Sequence, residues 1–568
     1  MATRTQATPI SWLLNYQREN LSGDLIAGII VTVMLVPQSM AYAQLAGLPP
    51  EIGIYASIVP LFIYGLLGSS RALAVGPVAI VSLMVGTGIS QLNPQNLGEY
   101  LSFAVTLALL VGIIQMLMGV LRIGFLVNFL SHPVLSGFIN AAAIVIGFSQ
   151  LKHVTGIAIP RTESTHEIIL YALEHLKDIN WLTVIIAALS IGTLFYFKNG
   201  LGKQLKQWNI PEPWIMPITR SGPLFVVAMG VLTVAIFHLD SQIAIVGTVP
   251  AGLPPMTMPM IEVSTWQTLF PTALAIALIG FMESISVAKS LASKKREKVN
   301  ANQELVAIGA ANLGAAFTGA YPVAGGIGRS VVNFAAGANT GLASIITAVL
   351  MGVTVIFLTP LFYYLPQAVL ASIIIVAIIS LIDPAVFKHT WDYNHVDAIS
   401  LVVTFLAVLF ISVETGILLG VGVGISLFLW RTSQPHIAVV GRVAETEHYR
   451  NILRHDVQTH PNIIGVRVDE SLYFPNAQYL EAMLLETVAD NPAVKHLVLI
   501  CSAVNYIDSS ALEVLEALIK EMRDAGVGFY LAEVKGPVMD KLQKIGFIEH
   551  LGQDNVFLST HQAMCKLS

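Results

Sequence analysis

The stretch Gly319-Ala-Tyr-Pro-Val-Ala-Gly-Gly-Ile-Gly-Arg-Ser-Val-Val-Asn333 decides the fold. It lies between long apolar runs, which puts it at membrane depth, yet it carries a proline, four glycines and the charged Arg329. A plain spanning helix avoids all of these. Interrupted backbone survives at that depth only where protein or a watery cavity satisfies its polar groups. The pattern predicts a short helix from about Gly326 to about Ala336, roughly 15–20 Å at 1.5 Å per residue, or half a bilayer. Its free amides and positive dipole end then lie inside the membrane, with Arg329 one turn along. That arrangement suits an anion.

The rest of the chain agrees with a membrane setting. Of its 568 residues, 55% are hydrophobic and only 11% charged, and the mean hydropathy is +0.72. Soluble domains carry about 25% charged residues, so most of this chain is expected to be dissolved in lipid. Charge is sparse as far as Arg431 and ordinary beyond it, as in a soluble domain. The balance of 30 basic against 35 acidic residues, −5 in all, argues against a nucleic-acid partner. Both cysteines, Cys501 and Cys565, fall in the polar tail, which suggests a reducing compartment and no disulfide framework. The first 20 residues lack the apolar core and small-residue cleavage site of a signal peptide.

Apolar stretches recur fourteen times between residues 24 and 430; those at 75–91 and 325–337 are short and rich in glycine or proline. Loop charge tests the count. Loops after even-numbered stretches hold Arg71, Arg122, Lys198, Lys203, Lys206, Arg220, the basic cluster 294–298, Lys388 and Arg431. Those after odd-numbered stretches hold little beyond Lys152, Arg161 and Lys177, offset by Glu163, Glu167, Glu174 and Asp178. Both termini are therefore expected in the cytoplasm.

An internal repeat follows from spacing. Gln38 stands 39 residues before Pro77, and Glu283 stands 39 residues before Pro322. These positions fall in the first and third, and the eighth and tenth, stretches. An offset of seven makes the halves inverted, and paired broken stretches mark the midplane site of a transporter. The expected organisation is a cytoplasmic leader over 1–20, a transmembrane domain over 21–432 with repeats of about 21–210 and 211–432, and a soluble domain over 433–568. In the last, strand patterns such as Ile463–Val468 alternate with helical ones such as Ser510–Ala525, the sign of a small α/β domain.

Arg329 and Glu283 are the sharpest candidates for chemistry, because a charge at the bilayer centre costs about 2.5–3.5 kcal/mol even on a lenient scale. One reading makes Arg329 the fixed positive charge for an anion and Glu283 a proton-carrying carboxylate; the other makes them an ion pair that locks two helices. Gln38 and Tyr42, four apart, share a helix face and offer an amide and a ring. Ser286 lies three residues after Glu283 and is a supporting candidate, though serines also serve tight helix contacts. Asn333, four after Arg329, is expected to orient the arginine. The histidines show no metal spacing, and no G-x-x-x-x-G-K-[ST] phosphate loop appears, so neither a metal, a cofactor nor an ATPase is expected. In the tail, Asp508 or Ser509 can cap the helix that follows, with Ser510 in its first turn; a plain capping turn is preferred over an anion site there.

Val36-Pro-Gln-Ser-Met-Ala-Tyr-Ala-Gln-Leu-Ala-Gly-Leu-Pro-Pro-Glu-Ile-Gly-Ile-Tyr-Ala56 resembles the sulfate-transporter signature of the SulP anion-transporter family. Gly76-Pro-Val-Ala-Ile-Val-Ser-Leu83, Glu283-Ser-Ile-Ser-Val-Ala-Lys289, Asn302-Gln-Glu-Leu305 and the opening stretch add to it, and the tail resembles a STAS domain. The resemblance implies an α-helical polytopic membrane protein. Its fourteen segments form a seven-plus-seven inverted repeat with core and gate domains that move past each other, followed by a small cytoplasmic α/β STAS domain. It maps the substrate site onto Gln38, Tyr42, Pro77, Val78, Gly328 and Arg329, with Glu283 as coupling residue, and implies no enzyme activity. Family members carry small inorganic or organic anions and are commonly homodimers. The expectation is proton-coupled sulfate uptake across the inner membrane, with sodium-coupled bicarbonate, proton-coupled dicarboxylate or a passive channel as alternatives. A cytoplasmic partner of the STAS domain stays open. So does phosphorylation, since Asp508-Ser509-Ser510-Ala511 stands where many STAS domains have Asp-Ser-Ser-Gly.

Overall fold

The computed structural model describes residues 11–14, 16–125, 131–159 and 165–568. The first ten residues of the expected leader, and Arg161 and Glu163 of the loop-charge argument, lie outside them. Each of the fourteen apolar stretches holds one principal helix. In the first half these are α1 (Asn20–Leu45), α2 (Val59–Leu67), α3 (Ala79–Ser90), α4 (Leu97–Val120), α5 (His132–Ser149), α6 (Trp181–Asn199) and α7 (Gly222–Phe237). The second half continues with α8 (Val263–Lys294), α9 (Ala301–Phe317), α10 (Ile327–Ala335), α11 (Leu342–Val353), α12 (Gln367–Ile379), α13 (His395–Phe410) and α14 (Val413–Ser433).

Fourteen helices are not fourteen full spans. Among the described residues, eight helices are long and apolar enough to cross a bilayer, or nine if Trp214–Arg220 and Gly222–Phe237, bent by 47°, count as one. The third and tenth are half-length, 12 and 9 residues, or ~18 and ~14 Å at the α-helical rise. The glycines and prolines that precede them account for this, since each stretch spends its first residues on irregular backbone.

Packing carries the repeat. α1 packs on α11 as α8 packs on α4, α5 packs on α13 as α12 packs on α6, and the equivalent helices α2 and α9 pack on each other. Exchanging every helix for the one seven places away maps this set of contacts onto itself, as an inverted repeat requires. Helices α1–α4 and α8–α11 make one bundle, and α5–α7 with α12–α14 make the other. Small residues permit the closest crossings. A Cβ on Gly112 of α4 would stand 2.9 Å from the carbonyl oxygen of Gly309 on α9, and one on Gly309 would stand 3.0 Å from that of Gly112.

Two buried carboxylates fix turns of the first bundle. Glu304, at the start of α9, accepts from the Tyr64 hydroxyl (2.8 Å), the Ser69 amide and hydroxyl (2.7 Å each) and the Ser70 amide (3.0 Å). Asp24 of α1 accepts from the amides of Asn339 (2.7 Å) and Thr340 (3.0 Å) and from the Thr340 hydroxyl (2.6 Å). Oxygen atoms that would be costly to bury alone are thus saturated by donors.

The chain divides into two compact units after Gly424. In the second, the elements are β3 (Ile437–Arg442), β4 (Tyr449–Asn451), β5 (Ile463–Val468), α15 (Ala477–Ala489), β6 (His496–Ile500), α16 (Ser509–Asp524), β7 (Gly528–Ala532), α17 (Gly536–Lys544), β8 (Val556–Phe557) and α18 (Thr560–Leu567). Strand order is β4-β3-β5-β6-β7-β8, with β5 to β8 parallel and β3 antiparallel to both its neighbours. Alternation sends Leu497, Leu499, Phe529 and Leu531 to the face covered by α15 and α16, and Val498, Ile500 and Ala532 toward Ala563 and Met564 of α18.

Candidate functional site

The two broken stretches meet. Two short strands, β1 (Val75–Gly76) and β2 (Ala324–Gly325), pair antiparallel with Val75 opposite Gly325 and Gly76 opposite Ala324. The ladder extends through the Gly326 amide, which donates to the Ala74 carbonyl at 3.1 Å, while the Ala74 amide donates to the Ser330 hydroxyl at 2.9 Å. α3 and α10 start from these strands, with Val78 and Gly326 as cap residues and no side-chain cap on either. Their first-turn residues Val78, Ala79 and Ile80, and Gly326, Ile327 and Gly328, line one cavity of about 700 Å³. Two positive helix ends therefore converge on one space.

Gln38, Tyr42, Glu283 and Arg329 line the same cavity. Arg329 is 1% exposed and donates through Nη1 to the carbonyl of Pro77, at the opening of the opposite half-helix. Its Nε and Nη2, the Glu283 Oε2 and the Gln38 Oε1 are buried without a protein partner. Gln38 donates to the Tyr42 hydroxyl at 2.9 Å, as their four-residue spacing requires. Glu283 and Arg329 are not among the ion pairs of the described residues. The cavity thus offers a fixed guanidinium, uncapped amide ends, an amide group and a carboxylate. Its far wall comes from Ile373, Val376 and Ala377 of α12, and Lys198, Lys206 and Arg220 stand at its edge.

A buried polar frame holds the α10 side in place. Asn312 on α9 mimics a strand partner for Val323, accepting its amide at 2.7 Å and donating to its carbonyl at 3.1 Å, and also donates to Gln115 of α4 at 2.9 Å. Ser284 of α8 accepts the Gly325 amide at 2.8 Å, and the Tyr321 and Ser82 hydroxyls lie 3.1 Å apart. None of these carries a signal in the local sequence, because their partners are set by tertiary packing.

The structure separates the remaining candidates. Val78 and Gly328 reach the cavity, whereas Pro77 contributes through its carbonyl to Arg329. Ser286 is exposed and outside the cavity lining; Ser284 is the serine that meets the β2 strand. Asn333 does not orient Arg329. Its amide donates instead to the Ala72 carbonyl at 3.0 Å, bracing the other half-helix. In the second unit, Asp508 caps α16, accepting from the Ala511 amide at 2.8 Å, and binds the Phe474 amide at 2.8 Å through its other oxygen. Ser509 and Ser510 are exposed. Among the described residues no cluster of three or more His, Cys, Asp or Glu could hold a metal ion.

The sequence pattern of the sulfate permease family matches residues 21–404, and that of the STAS domain matches residues 454–563. Probable sulfate transporter 4.2 of Arabidopsis thaliana is 36% identical over 565 residues, 97% of this chain and 82% of that protein. High affinity sulfate transporter 2 of Stylosanthes hamata is 31% identical over 573 residues, 98% of this chain and 85% of that one. Among solved structures, the murine Solute Carrier 26 family member A9 anion transporter, in the inward-facing state, superposes with a TM-score of 0.89 at 26% identity, covering 100% of this chain and 95% of that one. The transmembrane domain of a cyanobacterial bicarbonate transporter shares the fold at 22% identity, with a TM-score of 0.60 over 72% of this chain and 98% of that one.

Proposed function

Because the chain belongs to the sulfate permease family, a family of multi-pass membrane anion transporters and not of enzymes, we propose that it takes up sulfate together with protons by an elevator-like movement. One observation carries this reading: Gln38, Tyr42, Val78, Glu283, Gly328 and Arg329 all stand on α1, α3, α8 and α10, within a single bundle, while the other bundle supplies the opposing wall. A bundle that holds every ligand group can carry its anion past the other without dismantling the site.

Arg329 supplies fixed charge, and the two helix ends supply amides for the oxygens of a tetrahedral anion. Glu283 adds the coupling. Its charge opposes an incoming anion, and a proton on the carboxylate removes that opposition, so anion and proton enter together. A neighbouring guanidinium opposes a sodium ion, which favours the proton. Sulfate is chosen because the two relatives named above, which match 97% and 98% of this chain, are sulfate transporters.

In this reading residues 21–432 form the transport domain, with repeats of about 21–210 and 211–432, and 433–568 form the STAS domain. The protein sits in the inner membrane as a homodimer with both termini in the cytoplasm. The cavity edge at Lys198 and Arg220 then faces inward. Ser509 and Ser510, exposed beside the capping Asp508, are available to a cytoplasmic partner.

Radiolabelled sulfate uptake into proteoliposomes, with and without an inward proton gradient, tests the proposal. The wild type is expected to accumulate sulfate only with the gradient, and Glu283→Gln to lose the gradient's effect. No sulfate uptake by folded, inserted protein overturns the substrate. Uptake that ignores the gradient in both proteins overturns the coupling and supports a channel.

A further inference from the structure

A second cavity, of about 500 Å³, lies further along the same two helices, at their C-terminal ends. α1 gives Met34, Gln38 and Tyr42 to the first cavity and Gln44 and Leu45 to the second; α3 gives Ala79 and Ile80 to the first and Leu83, Gly86, Thr87 and Ser90 to the second. Among these, Met34, Gln38, Tyr42 and Leu45 on one helix and Ile80, Leu83, Thr87 and Ser90 on the other are three or four apart, so a continuous strip of each helix runs from one cavity to the other. That strip is the path along which the site looks out on both ends of the bundle.

Across the second cavity stand Val145, Ser149 and Gln150 at the end of α5, followed by a short helix, Leu151–Thr155. Nδ1 of His153, in that short helix, lies 3.0 Å from Nε2 of Gln44 on α1 and 3.1 Å from Oε1 of Gln367 at the start of α12. His153 and Gln367 belong to the bundle of α5–α7 and α12–α14, and Gln44 to the other. Only the Gln44 contact crosses between them. The Oε1 atoms of Gln44 and Gln150 are also buried without a protein partner. A seal built only to exclude water would be apolar, because unpartnered polar groups are costly to bury.

We propose that the second cavity is the far half of the anion's path, and that His153 shuts it by accepting a hydrogen bond from Gln44 through Nδ1, the atom that in the other tautomer donates to Gln367. The proposal rests on the two-bundle movement put forward above and adds the group that holds one end of the travel. When the site-bearing bundle moves to open this side, the Gln44–His153 bond breaks and Nδ1, in its other tautomer, turns to donate to Gln367 within its own bundle. The polar bond makes the closed state one of two discrete arrangements, with partners that part cleanly and can be rehydrated.

The test reads accessibility in the full-length protein with the exposed thiol removed by Cys565→Ser. A charged, membrane-impermeant methanethiosulfonate is applied to vesicles of each orientation. Ser90→Cys is expected to react from one side and Gly328→Cys from the other. His153→Ala and Gln44→Leu are each expected to raise the rate at which reagent from the Ser90 side reaches Val78→Cys, by about fivefold, the shift that one ordinary hydrogen bond supports. Gln150→Ala, which lines the cavity but makes no bond across the bundles, leaves that rate unchanged. Reaction of Ser90→Cys and Gly328→Cys from the same side overturns the path. An unchanged rate in both His153→Ala and Gln44→Leu, with thermal unfolding like that of the parent, overturns the lock. Labelling does not depend on which anion is carried, so a failed sulfate assignment leaves these outcomes readable.

Discussion

The carboxylate of Glu283 and the guanidinium of Arg329 share one cavity without forming an ion pair. A direct pair would satisfy both charges and fasten α8 to α10. Here the Arg329 Nη1 is occupied by the Pro77 carbonyl, while its Nε and Nη2 and the Glu283 Oε2 keep their bonding capacity. Charges left in this condition are expensive unless something else completes them, which in the proposed reading is an entering anion and proton.

Arg329→Lys keeps the charge and loses the planar fork. One charge-assisted bond is worth about 1.5–3 kcal/mol, so the KM for the transported anion is expected to rise by about tenfold or more. Uptake kinetics in proteoliposomes, beside a thermal-unfolding curve that stays near wild type, check it. An unchanged KM would mean that Arg329 serves structure alone.

Gly326→Ala and Gly328→Ala should differ although the residues are two apart. Gly326 has φ −90°, which alanine accepts, yet its Cβ would stand 2.9 Å from Nη2 and 3.0 Å from Cζ of Arg329. The methyl displaces the guanidinium, so anion affinity falls in folded protein. At Gly328 a Cβ meets nothing within 4 Å and enters the cavity. There the expected effect is selective, with larger anions losing uptake more than smaller ones. Competition between anions of different radius reads the contrast.

Glu304→Gln is expected to damage stability and leave substrate affinity alone. The buried carboxylate serves four donors on Tyr64, Ser69 and Ser70. An amide has one oxygen and brings two donors of its own, so at least one buried donor loses its partner, at about 1–3 kcal/mol. A lower Tm in detergent with an unchanged KM fits; a raised KM at unchanged Tm does not.

The two cysteines should separate by reactivity. Burial, with Glu533 nearby, pushes the Cys501 thiol up to about 12, whereas Cys565 is exposed. A raised pKa means less thiolate at neutral and mildly alkaline pH, and thiolate is the reactive form. Iodoacetamide is therefore expected to alkylate Cys565 in the folded protein and Cys501 only after unfolding, as mass spectrometry would show.

Much of this site could be read from local chemistry. A proline and glycines before a short apolar run mark a half-helix whatever surrounds it, and the observed Ile327–Ala335 lies inside the expected limits. The matched spacing of Gln38 to Pro77 and Glu283 to Pro322 exposed the repeat because insertion into a bilayer fixes segment lengths. Partners distant in sequence were not legible. Glu304 meets Ser69 across 235 residues, and Asn312 faces Gln115 across 197. Ser286 failed for a related reason: helical spacing from Glu283 places a residue on a face, but only the β2 strand decides that Ser284 is the serine used. In the tail, β4 and β8 are too short, three and two residues, to show an alternation.

The ladder between Val75 and Gly325 joins positions 250 apart, and Arg329 rests on Pro77 across 252. During synthesis the first half enters the membrane with its strand edge unpaired and its Pro77 carbonyl without the arginine. The proposed anion site is therefore incomplete until the tenth segment has been inserted. Biogenesis is thus ordered: the helices of the first repeat must wait, shielded from lipid and from wrong partners, for a sequence the ribosome has yet to make. A chain stopped before Gly325 lacks half of the proposed site, which waits on the pairing of two strands of two residues each.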